Sequence, residues 1–158
     1  MSHNIKQRLQ GIQVSLKAPK GQTNKFGGYK YRSCEDILTA VKPLLSEWGC
    51  VLTITDDVIE VGNRLYVKAT AVLSDTETDK SLSVSAYARE SESKKGMDDA
   101  QITGSASSYA RKYALNGLFA IDDTKDPDAT NKHGMDRPKD PGYKNYANDS
   151  SKKSKDLF

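Results

Sequence analysis

Three runs of alternating side chains between Val51 and Arg89 constrain the fold of this chain more than any other feature. Val51, Thr53 and Thr55 alternate with Leu52 and Ile54. Leu65, Val67, Ala69 and Ala71 alternate with Tyr66, Lys68 and Thr70, and Leu82, Val84, Ala86 and Ala88 alternate with Ser83, Ser85, Tyr87 and Arg89. A period of two sends successive side chains to opposite faces of an extended backbone, so each run predicts a strand with one apolar face. Gly62-Asn63 is a hairpin signal between the first two runs, and Asp75 to Lys80 supplies a second turn. The expectation is a three-stranded antiparallel meander. A sheet this small cannot bury enough apolar surface alone, so helices must cover one face and the fold class is α+β.

The flanks supply those helices. Ile5, Leu9, Ile12 and Leu16 recur at the helical period and predict an amphipathic helix that ends before Pro19. A loop is expected from Ala18 to Gly28. Ser33 with Asp36 three places on forms a capping box, and Ile37, Leu38, Val41, Leu44, Leu45 and Trp48 then form a second stripe that Gly49 stops. Pro43 lies inside it and should kink or split the helix, because it removes a hydrogen bond and clashes one turn back.

A third helix is read from Gln101 to Phe119. Ile102, Ala106, Tyr109 and Tyr113 recur at steps of four, three and four, so they share one stripe, on which the tyrosines are expected as core residues with a wet hydroxyl. The opposite side gathers Gln101, Gly104, Ser105, Ser107, Ser108, Arg111 and Lys112. Small side chains permit close packing on a sheet. The same small polar face, ending in two cations, also lets a phosphate backbone approach, so the helix alone leaves both readings open.

The chain of 158 residues can bury one core, and the expected organisation is one domain over 1–128 followed by a polar tail over 129–158. The tail has too few apolar residues to offset the entropy of ordering it and is expected to be disordered. The formal charge of +3 is modest, but up to Cys50 the cations Lys6, Arg8, Lys17, Lys20, Lys25, Lys30, Arg32 and Lys42 face only Glu35, Asp36 and Glu47. That imbalance points to an anionic partner. Cys34 and Cys50 belong to no disulfide or metal framework, which suits a reducing cytosol. No apolar stretch approaches the length of a membrane span, so the expected location is cytoplasmic, with no membrane partner.

The segment from Lys17 to Arg32 interleaves Lys17, Lys20, Lys25, Lys30 and Arg32 with Phe26, Tyr29 and Tyr31, and no acid interrupts it. Cations track phosphates and aromatic faces stack bases, which is the general design of a single-strand groove; the tyrosines could equally anchor a mobile basic loop. Gly21 to Gly27 is only superficially a phosphate loop, since no Gly-Lys-Ser or Gly-Lys-Thr follows. Any work on nucleic acid would then run on binding energy and assembly, without a cofactor. Asp122, Asp123, Asp126 and Asp128 could be offered as the site of a small metal-dependent nuclease, but they crowd one segment without a partner and read more simply as a solvated acidic stretch. No nucleophile elbow is present, and both histidines, His3 and His133, fall near the ends. The pattern favours a binding protein over an enzyme, with no metal site; an adaptor acting through its tail on a host replication protein is the alternative from the interaction class.

Three segments carry a resemblance: Phe26-Gly-Gly-Tyr-Lys-Tyr-Arg-Ser33 running into Glu35-Asp-Ile-Leu38; Lys42-Pro-Leu-Leu45 with Trp48-Gly49; and Gly96 to Leu115 with Leu118-Phe119. Together they resemble the Erf (essential recombination function) family of phage single-strand annealing proteins, over roughly Ile5 to Asp128. The third segment is the most specific, because its Thr-Gly-x-x-x-Ser-Tyr-Ala-Arg-Lys-Tyr-Ala run is hard to obtain from packing needs alone. The resemblance implies an ATP-independent recombinase that coats single-stranded DNA, assembles into rings or filaments, and anneals complementary strands during recombination and repair in the host bacterial cytoplasm. It implies a core similar to that of the eukaryotic annealing mediators, and as partners a host single-strand-binding protein or a phage exonuclease. On matching positions it implies DNA contacts at Lys30, Arg32, Arg111 and Lys112. The chemistry of the residues adds Lys20, Lys25, Tyr29, Tyr31 and Arg89.

Overall fold

The computed structural model describes residues 3–122; the expected tail of 129–158 lies outside the described residues. The elements run α1 (Ile5–Ser15), β1 (Gln22–Asn24), β2 (Tyr29–Tyr31), α2 (Cys34–Glu47), β3 (Cys50–Val61), β4 (Arg64–Asp75), β5 (Ser81–Arg89) and α3 (Asp99–Phe119). The fold is α+β, as the alternation and the flanking stripes require.

β3, β4 and β5 form the antiparallel meander in the order β3-β4-β5. Val61 pairs with Arg64 across Gly62 and Asn63, whose φ values are 54° and 62°. Two successive positive φ values match the right-handed twist of the strands, which is why this dipeptide makes the turn. On β4 the odd residues Val67, Ala69, Ala71 and Leu73 are buried, and the partly buried Leu52 and Ile54 of β3 and Leu82, Val84, Ala86 and Ala88 of β5 join the same core.

All three helices among the described residues begin with a capping box. Asn4 with Gln7, Ser33 with Asp36 and Asp98 with Gln101 each exchange side-chain and backbone hydrogen bonds, satisfying amides that the first turn leaves without partners. α2 runs unbroken through Pro43, so the expected split does not occur. Gly49 ends the region with φ 60°, a left-handed conformation that suits glycine. A Cβ added at Gly11 would lie 2.1 Å from the Trp48 ring, so the absence of a side chain there lets α1 close on the end of α2.

α3 packs on β4 and β5 through Ile102, Ala106, Ala110 and Ala114, with Leu115, Leu118 and Phe119 completing the core. The stripe expected through Tyr109 and Tyr113 is therefore displaced by one flank of the helix. Both tyrosines are about half exposed, at 54% and 47%. Alanines at 106, 110 and 114 carry the packing because a methyl group lets the helix axis approach a sheet whose facing residues include Ala69 and Ala71.

One cation counted toward the surface lies inside. Arg8 sits on the buried stripe of α1 between Ile5 and Ile12. Its Nη1 donates to the carbonyls of Trp48 and Gly49 at 2.7 and 3.2 Å, its Nε to that of His3 at 3.0 Å, and its Nη2 to Glu77 at 2.7 Å. The buried carboxylate of Asp75 lies 3.6 Å away. Arg8 thus binds α1 to the start of β3 and to the β4–β5 turn, and is not available to an external anion.

Candidate nucleic-acid interface

The loop expected over Ala18 to Gly28 contains half of a small hairpin. β1 and β2 pair antiparallel, with Gln22 opposite Tyr31 and Asn24 opposite Tyr29. Asn24 Oδ1 accepts from the amides of Phe26 and Gly27 at 2.9 and 3.1 Å, an Asx turn that uses the very amides a phosphate loop would offer. Gly28 takes φ 64°. A Cβ on Gly27 would meet the Tyr29 ring at 2.4 Å, so the paired glycines of the Phe26-Gly-Gly-Tyr29 segment bend the chain and make room for that ring.

Tyr29 and Tyr31, two residues apart on β2, present their rings on the same side with centroids 6.3 Å apart, edge to face. They are 50% and 37% exposed. Lys112 of α3 holds its ammonium 6.0 Å from the centre of the Tyr31 ring. The fold thus brings the aromatic hairpin and Lys112, from the middle of α3, onto one surface. Lys25 and Lys30 are exposed on the same hairpin, Phe26 stands fully exposed at its tip, and Lys20 is half-buried just before it.

Arg32 does not join them. It is buried, and its Nε donates to the Ala18 carbonyl, closing the excursion of chain that carries the hairpin. A guanidinium in that place braces the hairpin base, where an exposed phosphate contact was expected. Arg89 is exposed on β5, in a separate group of residues with Tyr109 and Tyr113.

Arg111 has an internal anionic partner that its helix gives no hint of. Its Nε donates to both carboxylate oxygens of Asp56 at 3.1 and 3.0 Å, its Nη2 lies 3.0 Å from Oδ2, and the Ser107 hydroxyl donates to the same oxygen at 2.5 Å. Asp56 pairs with Ala69 on β4 and so belongs to the helix-covered face of the sheet. Ser107 and Arg111, one turn apart, are turned toward β3, while Lys112 is turned toward the hairpin. The single polar face expected on α3 is therefore divided in two.

Burial alone would raise the Asp56 carboxyl, but the hydrogen bonds from Arg111 and Ser107 outweigh it and hold its pKa below the ordinary aspartate value. A depressed folded pKa means that the contact stabilises above the unfolded pKa and is lost as pH falls through the folded one. In Arg111→Gln the Asp56 carboxyl is expected to titrate at higher pH than in the parent, as read by NMR of the side-chain carboxyl carbon; an unchanged titration would show that Arg111 does not hold it.

The two thiols, Cys34 and Cys50, are buried and unpaired with each other, and burial pushes both pKa values up, which keeps them protonated at neutral pH. Among the described residues no group of three or more His, Cys, Asp or Glu side chains could hold a metal ion, and no helix is long and apolar enough to cross a membrane. Asp122 is exposed after α3, and Asp123, Asp126 and Asp128 lie outside the described residues.

Comparison with known proteins gives the lineage of this surface. No solved structure matches the chain. Over 151 residues it is 55% identical to the Essential recombination function protein of Salmonella phage P22, in an alignment covering 96% of this chain and 71% of that protein. The profile of the ERF superfamily matches residues 5–156, extending past Asp128 where the resemblance was expected to end. The segments that carry the hairpin tyrosines, Arg111 and Lys112 all fall within it, and the chain belongs to the ERF superfamily.

Proposed function

We propose that this chain binds single-stranded DNA and anneals complementary strands in phage recombination, without nucleotide hydrolysis and as a homo-oligomer. The observation that carries the reading is the Lys112 ammonium set over Tyr31 with Tyr29 alongside. Cations beside exposed aromatic faces hold a phosphate backbone and stack bases without regard to sequence. The name of the phage P22 relative, a recombination function protein, supports the same process. Base pairing between strands supplies the driving force, so the protein needs only to concentrate and orient them. Assembly into rings or filaments, and handover from a phage exonuclease or a host single-strand-binding protein, complete the proposed pathway.

The test is annealing of two complementary labelled oligonucleotides without ATP at two salt concentrations. Faster, salt-sensitive annealing with intact strands supports the reading, and no acceleration by a folded protein refutes it. Within this scheme Lys112 and Arg111 are unequal. Each phosphate contact on a single strand contributes roughly 0.7 to the slope of log affinity against log salt. Lys112→Ala is expected to flatten the slope by about that amount, whereas Arg111→Ala changes it less, because Asp56 already neutralises the guanidinium. Equal slope changes for the two variants would show that DNA draws Arg111 away from Asp56.

A further inference from the structure

The tip of the β1–β2 hairpin carries the most exposed large apolar side chain among the described residues. Phe26 is 104% exposed, the whole surface of an unfolded residue, whereas Tyr29 and Tyr31 behind it keep half or less. A lone apolar residue on a slack loop needs no explanation. This tip is built. Lys25, Phe26, Gly27 and Gly28 join Asn24 to its strand partner Tyr29, and Asn24 ties the turn together. Its Oδ1 accepts from the Phe26 and Gly27 amides, its carbonyl accepts from the Gly28 amide at 2.8 Å, and its Nδ2 donates to the Tyr29 hydroxyl at 2.9 Å. The Tyr29 ring fills the space beside Gly27 that a side chain would need. The turn is closed on itself through its polar groups, and the phenyl ring is held out in water.

The charge around the ring names its occupant. Lys25 immediately precedes it, Lys30 stands opposite Thr23 on the same hairpin, and from Lys17 to Arg32 the chain has no acid. An apolar pocket in another protein gains little from a tip so basic. A single strand offers flat bases on an anionic backbone and so satisfies the ring and the cations together. The exposures also give the three rings different work. Tyr29 and Tyr31 stand edge to face and partly covered, so each has only part of its surface to offer. Phe26 has both faces open. A ring with two free faces at the end of a narrow hairpin can enter between neighbouring bases, as apolar wedges do at other base steps. It carries no hydroxyl, so no polar group loses its water when bases surround it.

We infer that Phe26 is a wedge that enters between two adjacent bases of the bound strand, while Lys25 and Lys30 hold neighbouring phosphates. The inference rests on the single-strand-binding reading and adds to it a break in the base stack at each bound chain. Stacking within one strand competes with pairing to another. A wedge interrupts the stack and leaves the bases beyond it open to a complementary strand.

The test compares the full-length parent with Phe26→Ala and with the conservative variant Phe26→Trp. The ring stands in water, so neither change threatens the fold. Affinities are measured by anisotropy for a labelled oligodeoxyadenylate and for a strand of equal length with abasic spacers. Base separation is read from the circular dichroism of a pair of adjacent 2-aminopurines in the natural strand, a signal that exists only while the pair is stacked. Phe26→Ala is expected to bind the natural strand about tenfold more weakly and the abasic strand almost as the parent does, with Phe26→Trp close to the parent on both. At saturation the parent and Phe26→Trp should diminish the dichroism, and Phe26→Ala should leave it as in the free strand. Equal affinity of parent and Phe26→Ala for the natural strand, or equal loss of dichroism, would overturn the wedge while leaving single-strand binding intact. Equal losses on both strands, together with a change of oligomeric state, would assign Phe26 to a contact with a second copy of the chain and overturn it too. If the parent binds neither strand, the wedge and the function it rests on both fail.

Discussion

Replacing Arg8 with Met is expected to lower the stability of the domain by about 3–5 kcal/mol, measured by urea unfolding. The substitution keeps much of the side-chain volume, so the loss comes from polar groups left behind. The carbonyls of His3, Trp48 and Gly49 each give up a donor that carries full charge. Asp75, whose side chain is 4% exposed, loses its cation while keeping its bonds from the Glu77 amide and the Thr78 hydroxyl. Removing one member of a buried pair is costly because the other remains desolvated. Adding Asp75→Asn to Arg8→Met should therefore cost less than the sum of the two single changes. A loss under 1 kcal/mol for Arg8→Met, as for an ordinary surface cation, would show that the arginine is not the internal brace described above.

Phe119→Ala is expected to have a comparable effect, about 3–5 kcal/mol. Phe119 is 2% exposed and is the largest of the fully buried side chains, at the C-terminal end of α3. Its truncation removes apolar surface and leaves a cavity among α1, α3 and the sheet that their backbones cannot fill. Phe119 closes the segment that carries Lys112 and the two tyrosines, so the result separates two kinds of residue within one stretch of sequence. The alanine variant should unfold early yet bind single strands normally wherever it remains folded. Lys112→Ala should instead stay folded and bind single strands more weakly, with the flatter salt dependence expected for one lost phosphate contact.

The parts of the fold that were legible in sequence are those held by local rules. The capping box at Ser33 and Asp36 needs only four residues, and Gly62-Asn63 sets its turn by its own φ angles. The meander followed from period two because one face of the sheet is buried over most of β4 and packs its β5 residues into the core. The hairpin of β1 and β2 stayed hidden because its strands are three residues long and almost wholly exposed, leaving no apolar alternation to read. α3 misled for a different reason. Alanine is a weak marker of burial, so Tyr109 and Tyr113 drew the stripe toward themselves and away from Ala110 and Ala114. Arg8 and Arg32 counted as surface charge because composition cannot distinguish a solvated cation from one that binds carbonyls. The Asp56 to Arg111 contact joins residues fifty-five positions apart and had no signal at either end. Of the residues named for DNA from the Erf resemblance, the tertiary structure buries Arg32, pairs Arg111 with Asp56 and sets Lys112 beside Tyr31, distinctions that the sequence does not carry.

The alanine stripe beneath α3 also has the character of a gauge block. Ala106, Ala110 and Ala114 are 0% to 5% exposed and touch no solvent worth the name, yet their methyl groups set how far the helix stands from β4 and β5. The cleft between the edge of β5 and the Tyr109–Tyr113 pair inherits that spacing. A single added methylene at Ala110 has nowhere to go in an interior packed as densely as a crystal. It would lift the helix and widen the opening without altering one residue that faces it. Positions 106, 110 and 114 are therefore expected to resist substitution as stubbornly as contact residues do, although what they contribute is a distance.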